Sequence, residues 1–399
     1  MGKNYVCSDI HGLKGSYEEV LKKLNEDDIL YILGDAIDRG DDGIAILLDI
    51  LTRSGENGRK PRIEYILGNH DLLFIENMET IMRHDIRIRN QSDYDLWGIF
   101  KELCYRLEDA RIFEGTSGKE EYQKIIEKVS WLKDVSFEEI KSIANHIYND
   151  GELTLYKFMM MREDIQKQLY SFIENCLLQK QLTVNGKKFI ITHAVPIPVN
   201  QEITLKQARK LIKQGTTNIE KDEAELFYYI SARNNEANME WKKWLQNGYH
   251  TICGHTPSRE VPKFDKDCGS MIIDTGASAN GGLALVNIDD EKVTMIETKG
   301  KRNGKECYYK PSSSEKASNV VKDFFDSIPT KNISTDLRQN TVKSDKFVNG
   351  TMKNMSGKST YMTKIHEMKA RMKKGEEPTE NDIKILTEWA KQKLNPELY

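Results

Sequence analysis

Three short apolar runs near the start of the chain have the length and composition of buried β-strands. A polar segment that contains glycine follows each of them, and helix-periodic stretches lie between them at 17–24 and 44–51. The runs are Tyr5–Cys7, Ile29–Leu33 and Ile63–Leu67. Strand, loop and helix repeated in this order predict βαβ units with a parallel sheet. Because ligands of such sheets bind at the carboxyl ends of the strands, we expect the three polar segments to lie side by side.

The pattern of the next part of the chain is helical. Residues 72–180 are rich in charged residues and helix formers, and Trp97, Phe100, Leu103 and Leu107 recur at helical spacing. This predicts a helical insertion of about four helices, with the aromatic side chains in its core rather than at a binding site.

Strand patterns return from residue 182. Leu182–Ile191 is predicted to form a hairpin around Asn185-Gly186, and it leads into Thr192-His193-Ala194. Thr251–Cys253 leads in the same way into Gly254-His255-Thr256. Further strands are predicted at Met271–Asp274, Leu283–Ile288 and Lys292–Glu297. Together these patterns predict an α/β protein.

The C-terminal part of the chain has a different composition. Residues 301–399 contain 20 Lys and Arg and 13 Asp and Glu, a net charge of +7, so that residues 1–300 carry −10 of the total of −3. Asn332–Thr360 has few apolar residues and is predicted to be disordered, whereas Val320–Phe325 and Ile383–Leu394 are predicted to be short helices. We therefore expect one domain over 1–300 and a basic extension over 301–399. The terminal helix of that extension would dock on the acidic body or on a second copy, as in a homo-oligomer.

The composition also argues against several classes of protein and of binding site. No apolar run reaches the roughly 18 residues that a membrane-spanning helix needs. The acidic body argues against nucleic acid as the main ligand, because phosphate backbones require a basic surface. Six cysteines without a CxxC pair are typical of a reducing compartment, which predicts a cytoplasmic protein, and they exclude a cysteine-based zinc site.

The polar segments after the strands supply oxygen and nitrogen donors. These donors are Asp9, His11, Asp35, Asn69, His193 and His255. Carboxylate and imidazole ligands suit divalent manganese, our first choice, and also iron, zinc, cobalt and nickel. Alone, Asp35 would be interpreted as a helix cap and His193 as a core histidine. Their recurrence after successive strands favours a metal site, and six donors with one bridging carboxylate favour two ions.

In their order along the chain, these motifs resemble those of the calcineurin-like metallophosphoesterases. The matching elements are Asp9-Ile10-His11, Gly34-Asp35-Ala36-Ile37-Asp38-Arg39-Gly40, Gly68-Asn69-His70-Asp71, His193 and Gly254-His255. The full Gly-Asp-x-x-Asp-Arg-Gly element is similar to that of the phosphoprotein phosphatases, the bacterial and phage members in particular. The resemblance covers about residues 1–300. It implies a four-layer fold, in which two mixed β-sheets pack face to face with helices outside.

The resemblance also implies how the donors divide between two metal ions. Asp9 and His11 would hold the first ion, and Asp35 would bridge. Asn69, His193 and His255 would hold the second. A hydroxide held between the ions would attack the phosphorus atom in line.

Four further residues receive roles from the resemblance. His70 would protonate the leaving oxygen as general acid, with Asp71 orienting it. Asp38 would support Arg39 or His70, and Arg39 would bind phosphate oxygens through its two-pronged guanidinium group. The alternative for Arg39 is a surface salt bridge with Asp38.

A second phosphate-binding arginine is predicted in the segment Tyr229–Asn234. This segment is similar to the one in which bacterial relatives carry an arginine that reaches the phosphate, and Arg233 is the candidate. The alternative is an ordinary arginine on a helix surface.

One departure from the protein phosphatase pattern concerns the substrate. Leu67 stands where these phosphatases usually have arginine before Gly-Asn-His, and this form also resembles the symmetric dinucleoside tetraphosphate hydrolases. Ile273–Ala277 is similar to a strand and loop that both groups share. We predict a metal-dependent phosphoester hydrolase acting on phosphoserine or phosphothreonine in proteins, or on small phosphate esters. A nucleotide such as a dinucleoside polyphosphate is the alternative substrate. A binding scaffold is a third possibility, which the intact ligand set disfavours.

Overall fold

The computed structural model describes residues 2–329, with gaps at 56–57, 110–131 (where only 123, 127 and 129 are described), 199–200, 215–222 and 313. The predicted disorder at Asn332–Thr360, the predicted helix at Ile383–Leu394 and any oligomer contact through them lie outside the described residues. The described helices include none that is long and apolar enough to cross a membrane.

The apolar runs form the strands of one large mixed sheet. Its order is β11-β10-β1-β2-β3-β4-β5-β7-β9-β8, and β6 pairs with β4. The strands are β1 (Asn4–Cys7), β2 (Ile29–Leu33), β3 (Arg62–Ile66), β4 (Leu177–Val184), β5 (Lys187–Thr192), β6 (Ile203–Thr204), β7 (His250–Cys253), β8 (Lys263–Asp265), β9 (Ser270–Ile272), β10 (Leu283–Asn287) and β11 (Lys292–Ile296). A separate hairpin consists of β12 (Thr298–Arg302) and β13 (Lys305–Tyr309).

Helices flank this sheet, and the predicted α/β fold is confirmed. They are α1 (Lys14–Leu21), α2 (Gly43–Arg53), α3 (Asn69–Arg83), α4 (Gln91–Asp109), α5 (Phe137–His146), α6 (Glu152–Met159), α7 (Glu163–Glu174), α8 (Leu205–Gln214), α9 (Glu223–Ser231), α10 (Asn234–Gln246) and α11 (Ser314–Asp326). The β1–α1–β2 and β2–α2–β3 units are parallel, as the sequence pattern predicts.

The two sheets expected from the resemblance are two halves of one continuous sheet. A single register pair, Ile66 with Leu177, joins β3 to β4 and so connects the halves. Leu33 of the first half and Ile191 and Ile252 of the second half belong to the same buried apolar cluster. The sheet therefore curls until its halves face each other across a shared core.

Helix α11 closes this core. It contacts β11 and β8, which are the two edge strands of the curled sheet. Phe324 and Phe325 are fully buried, with ring centroids 5.4 Å from Phe264 and 5.8 Å from Phe189, respectively. The compact unit extends to Asn332 for this reason, rather than ending at residue 300 as expected from the sequence. The first part of the predicted extension thus completes the core of the body.

The inserted helices connect β3 to β4. Trp97 and Phe100 are buried, as predicted, whereas the side chains of Leu103 and Leu107 lie outside the description. Helix α5 begins with a capping box between Ser136 and Glu139. It ends at a kink, Ile147–Gly151, where Asn149 and Asp150 have non-helical backbone angles, and the kink leads directly into α6.

The predicted hairpin around Asn185-Gly186 is confirmed. Strands β4 and β5 pair from Val184 with Lys187 outwards, so the loop has two residues. Both loop residues have positive φ, 51° at Asn185 and 76° at Gly186, as the favoured two-residue hairpin turn requires.

Replacing Phe324 with alanine should destabilise the whole unit. The side chain fills the space between the two sheet edges, so we expect the free energy of unfolding to fall by about 3–5 kcal/mol. Urea denaturation followed by circular dichroism would measure this. Lys322→Ala, at an exposed position of the same helix, is the control and should change stability by less than about 0.5 kcal/mol. Equal stability of the two variants would contradict the closing role of α11.

Candidate metal centre

The loops after β1 and β2 are joined by backbone hydrogen bonds. The amide of Asp9 donates to Gly34 (3.2 Å), that of His11 to Asp35 (2.9 Å), and that of Gly40 back to His11 (3.0 Å). These bonds hold the side chains of both loops at one edge of the sheet, where the parallel strands end, as the sequence predicts.

The backbone of the site is unusually rich in left-handed conformations. Six site residues other than glycine have φ between 47° and 67°: Asp9, His11, Asp35, Asp38, Arg39 and His255. Such conformations cost roughly 1 kcal/mol or more each and persist only where surrounding contacts enforce them. The cross-loop hydrogen bonds supply that enforcement, so the site is held in a fixed geometry.

Asp35 is common to two groups of possible metal ligands. One group is His11, Asp35 and His70, and the other is Asp35, His193 and His255, with the ligand atoms of each group within 4.8 Å of one another. Oδ2 of Asp35 lies 3.4 Å from Nε2 of His193 and 3.9 Å from Nε2 of His11. Burial alone would raise the pKa of Asp35, but the surrounding histidines outweigh it and hold the pKa below its ordinary value.

Backbone carbonyls orient the imidazole rings. Nδ1 of His11 lies 3.0 Å from the carbonyl oxygen of Ile37, and Nδ1 of His193 lies 2.7 Å from that of Leu33. A carbonyl oxygen can only accept, so each Nδ1 carries the hydrogen and each Nε2 keeps its lone pair. Both lone pairs face the site, which is how proteins prepare histidine to bind a metal.

The second group has acceptor atoms that face one another. Nε2 of His193 lies 3.0 Å from Oδ1 of Asn69 and 3.2 Å from Nδ1 of His255. The Ser231 carbonyl lies 3.0 Å from the other nitrogen of His255 and favours a hydrogen there. These lone pairs and the carboxylate of Asp35 point at one another and cannot form hydrogen bonds among themselves. A divalent cation would bind all of them, so these residues fit a metal ion.

Asp9 lies beside the first group. Its Oδ1 is 3.9 Å from Nε2 of His11, and its Oδ2 accepts a hydrogen bond from the amide of His255 (3.0 Å). Burial is the main cause that raises the pKa of this carboxyl. The first group of possible metal ligands therefore contains His70, whereas the sequence predicted Asp9 as a ligand beside His11.

Glycines allow the loops to approach each other closely. A β-carbon on Gly68 would overlap Oδ1 of Asp35, and one on Gly254 would overlap Oδ2 of Asp9. The glycines of the Gly-Asn-His and Gly-His motifs are therefore required by the ligands of neighbouring loops.

His70 is held by Asp38. Its Nδ1 lies 2.7 Å from Oδ2 of Asp38, and its Nε2 lies 4.0 Å from Oδ2 of Asp35. Burial lowers the pKa of His70, but the two carboxylates outweigh it, so the net shift of the pKa is upward. The two carboxylates thus favour the protonated form of the ring next to the candidate metal ligands.

Asp71 was expected to orient His70, but in the structure its carboxylate has other partners. The carboxylate of Asp71 accepts hydrogen bonds from the Tyr65 hydroxyl (2.8 Å) and from the amides of Gly68 (2.8 Å) and Asp35 (3.1 Å). Burial raises its pKa to about 7. Asp71 therefore fixes the loops after β2 and β3, while Asp38 orients His70.

The comparisons with known proteins agree with this geometry. Residues 3–171 match the sequence model of the calcineurin-like phosphoesterases. This match covers less than half of the chain, and over these residues the chain is similar to a calcineurin-like phosphoesterase domain. The chain is accordingly a phosphoester hydrolase, and Asp9, His11, Asp35 and Asn69 lie within the matched residues. A comparison with curated proteins found no match.

Several solved phosphatase structures resemble the chain distantly. A cold-active protein-tyrosine phosphatase from a Shewanella species is 15% identical, covers 78% of this chain and 81% of its own, and has a TM-score of 0.35. A putative diadenosine tetraphosphatase is 14% identical (76% and 95% covered, TM-score 0.38). A serine/threonine phosphatase from Saccharomyces cerevisiae is 12% identical (72% and 73%, TM-score 0.34). Similarities of this size carry no argument about the substrate.

Both candidate arginines of the phosphoesterase lie at the site. Arg39 donates through Nη1 to the Ser278 hydroxyl (2.9 Å), and its Nη2 lies 3.3 Å from Nε2 of His70. From the sequence, a salt bridge between Arg39 and Asp38 was the alternative role of Arg39. Arg39 makes the contacts with Ser278 and His70 instead. Arg233, at the N-cap of α10, places Nε 2.9 Å from Nε2 of His255.

Three residues near the site were missed by sequence reasoning. Ser278 and Arg302 lie beside Arg39, because Arg302 reaches the Ser278 carbonyl (3.4 Å) and pairs with Asp150 (2.9 Å). His146 binds Asp38 from the inserted helices (2.9 Å). Neither Ser278 nor Arg302 belongs to a recognisable motif, and His146 stands in a helical pattern where a core histidine is expected.

Gly68→Ala should weaken metal binding by at least about 10-fold, because the new methyl group displaces the carboxylate of Asp35. Isothermal titration of metal-free protein with Mn²⁺ would measure the affinity. Gly98→Ala is the matched control, since Gly98 lies exposed on α4 with open space around it. The same affinity in both variants would count against the close approach of Gly68 and Asp35.

Proposed function

We propose that the protein is a two-metal phosphoester hydrolase of the serine/threonine-type protein phosphatases, related to their bacterial and phage members. The sharing of Asp35 between two ligand groups is the observation that carries this proposal. A single carboxylate between two sets of histidines has the arrangement that a pair of ions 3.5–4 Å apart requires.

The residues that would hold the ions are those of the two groups without His70, together with Asp9 and Asn69, which lie beside them. Asp9 and His11 would bind one ion with Asp35, and Asn69, His193 and His255 would bind the other with Asp35. Once bound, two divalent ions would neutralise phosphoryl oxygens and provide a water molecule that is nucleophilic near neutral pH.

His70 is the general acid in this proposal. Asp38 accepts the Nδ1 hydrogen, which leaves Nε2 directed at the candidate metal ligands. With a raised pKa, the ring carries a second proton on Nε2 and can give it to the leaving oxygen.

The two arginines bind the phosphate group. A protonated His70 no longer accepts from Arg39, so the Nη2 group of Arg39 becomes available to a phosphate oxygen. If Nδ1 of His255 held an ion, the ring hydrogen would lie on Nε2, opposite the Ser231 carbonyl. Arg233 could then no longer donate to that nitrogen, and its guanidinium group would be available as a second phosphate ligand.

Phosphoserine or phosphothreonine in a protein is the first choice of substrate. The Asp38–His70 contact belongs to the complete Gly34–Gly40 element, which is the form found in protein phosphatases. Leu67 favours the alternative, a nucleotide such as a dinucleoside polyphosphate. It is fully buried in the apolar core, so no charged group from this position reaches the phosphate.

A substrate panel tests the proposed function. Phosphoserine and phosphothreonine peptides, a dinucleoside tetraphosphate and an aryl phosphate would be compared at equal concentrations with Mn²⁺ and with Zn²⁺. We expect the highest kcat/KM among natural substrates with the phosphopeptides. A preference for the dinucleotide by 10-fold or more would favour the alternative, and no turnover of any ester would contradict both.

Asp35→Asn should reduce the metal content of the protein from about two ions per chain to less than one, because the bridging carboxylate serves both ions. Elemental analysis after dialysis against a trace of Mn²⁺ would measure the content. Asp49→Asn, at a carboxylate that pairs with Arg53 on α2, should leave it unchanged. One ion or none in the fully active wild-type protein would contradict the two-metal proposal.

His70→Ala should lower kcat by about 100-fold or more for an alkyl phosphate, whose leaving group needs a proton. An aryl phosphate with a good leaving group should lose less than about 10-fold. Steady-state kinetics with both esters, together with the metal content, would show the difference. Equal losses for both esters would exclude His70 as the acid.

A further inference from the structure

His146 lies outside every motif that the phosphoesterase domain shares with its relatives. It is the last residue of α5, in the helical insertion, and it is fully buried. Its Nε2 lies 2.9 Å from Oδ2 of Asp38, the same oxygen that binds Nδ1 of His70 at 2.7 Å. Asp38 therefore lies between two imidazoles, one from the catalytic loops and one from the insertion.

The surroundings of His146 favour one tautomer. The side-chain amide of Asn77, on α3, lies 3.5 Å from Nδ1 of His146 and also donates to the carbonyl of Leu73 (2.8 Å). An amide hydrogen directed at Nδ1 keeps the lone pair there and the ring hydrogen on Nε2. His146 then donates to Asp38, and Asp38 accepts from both rings.

Asp38 depends on this second ring. Its other carboxylate oxygen, Oδ1, is buried and has no hydrogen-bond partner among the described residues. Burial would raise the pKa of Asp38, but His146 first and His70 second outweigh it and hold the pKa well below its ordinary value. A carboxylate that is buried and accepts at only one oxygen needs both donors to stay charged and in place.

The backbone that follows His146 in the insertion leaves room for the imidazole ring of this residue. The kink Ile147–Gly151, in which Asn149 and Asp150 have non-helical backbone angles, follows His146 directly, and the amide of Arg39 donates to the carbonyl of Asp150 there (3.0 Å). A β-carbon on Gly151 would overlap the His146 ring at Cδ2 and Nε2. Glycine at the end of the kink therefore leaves the space that the ring occupies.

We propose that His146 is a positioning residue for the general acid, acting through Asp38 to hold His70 in its productive orientation. The helical insertion thereby supplies one member of a three-residue chain, His146–Asp38–His70. This inference rests on the proposed function, in which His70 protonates the leaving group.

Two substitutions of His146 test the proposal. His146→Leu removes the donor, and His146→Gln keeps an amide hydrogen at about the position of Nε2. With an alkyl phosphate we expect kcat to fall at least about 10-fold for leucine and less than about 3-fold for glutamine, with KM nearly unchanged. With an aryl phosphate that has a good leaving group, both variants should lose less than about 3-fold. Metal content and melting temperature are measured on the same samples.

Two further variants separate this role from general damage. Gly151→Ala retains every polar group, and because φ at this position is an ordinary −91°, it acts through the overlap with His146, at the ring and at the backbone carbonyl oxygen. It should reproduce the leaving-group-dependent loss even if His146→Leu does not fold. His84→Leu is the control, since this histidine of the same helical region pairs with Glu139 instead (3.0 Å), and its kinetics should equal those of the wild type.

The outcomes distinguish this inference from the proposed function. Equal losses for both leaving groups in His146→Leu and Gly151→Ala, or a glutamine variant as poor as the leucine variant, would overturn the role of His146. His70→Ala in the same panel is the reference. A uniform loss in that variant would overturn the acid assignment itself and the role of His146 with it. A leaving-group-dependent loss there, combined with a uniform loss in the His146 variants, would overturn the role of His146 alone.

Discussion

The buried negative charge of Asp35 is the constraint on which the site depends. Removing a carboxylate from water costs several kcal/mol unless partners surround it. Here those partners are histidines that come from different loops: His11 after β1, His70 on α3, and His193 and His255 after β5 and β7. The two halves of the sheet must therefore meet in one particular alignment, because only that alignment brings all four rings to the same oxygen atoms.

The first three strands, the hairpin at Asn185-Gly186 and the convergence of the candidate metal donors at one edge of the sheet were predictable from the sequence for a common reason. In each case the information is local, since an apolar run ends in a polar segment, or a turn requires two residues that tolerate positive φ. The donors were found because they occupy strand ends, and strand ends of a parallel sheet converge. From the sequence, Asp71, the neighbour of His70, was expected to have the orienting role, and Asp38 to support either Arg39 or His70. Only the hydrogen bond of Tyr65 to Asp71 decides between the two carboxylates, and it depends on packing.

Longer-range features escaped prediction. Helix α11 was expected as a short helix of a basic extension, yet its Phe324 and Phe325 pack against strands that lie far earlier in the chain. Composition separated the residues after 300 from the body, whereas the burial of Val321, Phe324 and Phe325 joins α11 to it. His146 was invisible for a similar reason, since its partner Asp38 is far away in sequence and nothing in the pattern of α5 distinguishes it from a core histidine.

The placement of α11 has a consequence for the synthesis of the protein. Strand β1 pairs with β10, and among the described residues the helix that contacts both edge strands of the sheet ends at Asp326. The N-terminal part of the chain is synthesised first. Strands β1 and β2, which precede Asp9 and Asp35, therefore leave the ribosome long before β10 and α11 have been made. Contacts so distant in sequence form slowly, and the uncovered strand edges can pair with other chains in the interval. The nascent protein is thus expected to depend on chaperones until its last strands and α11 have been made.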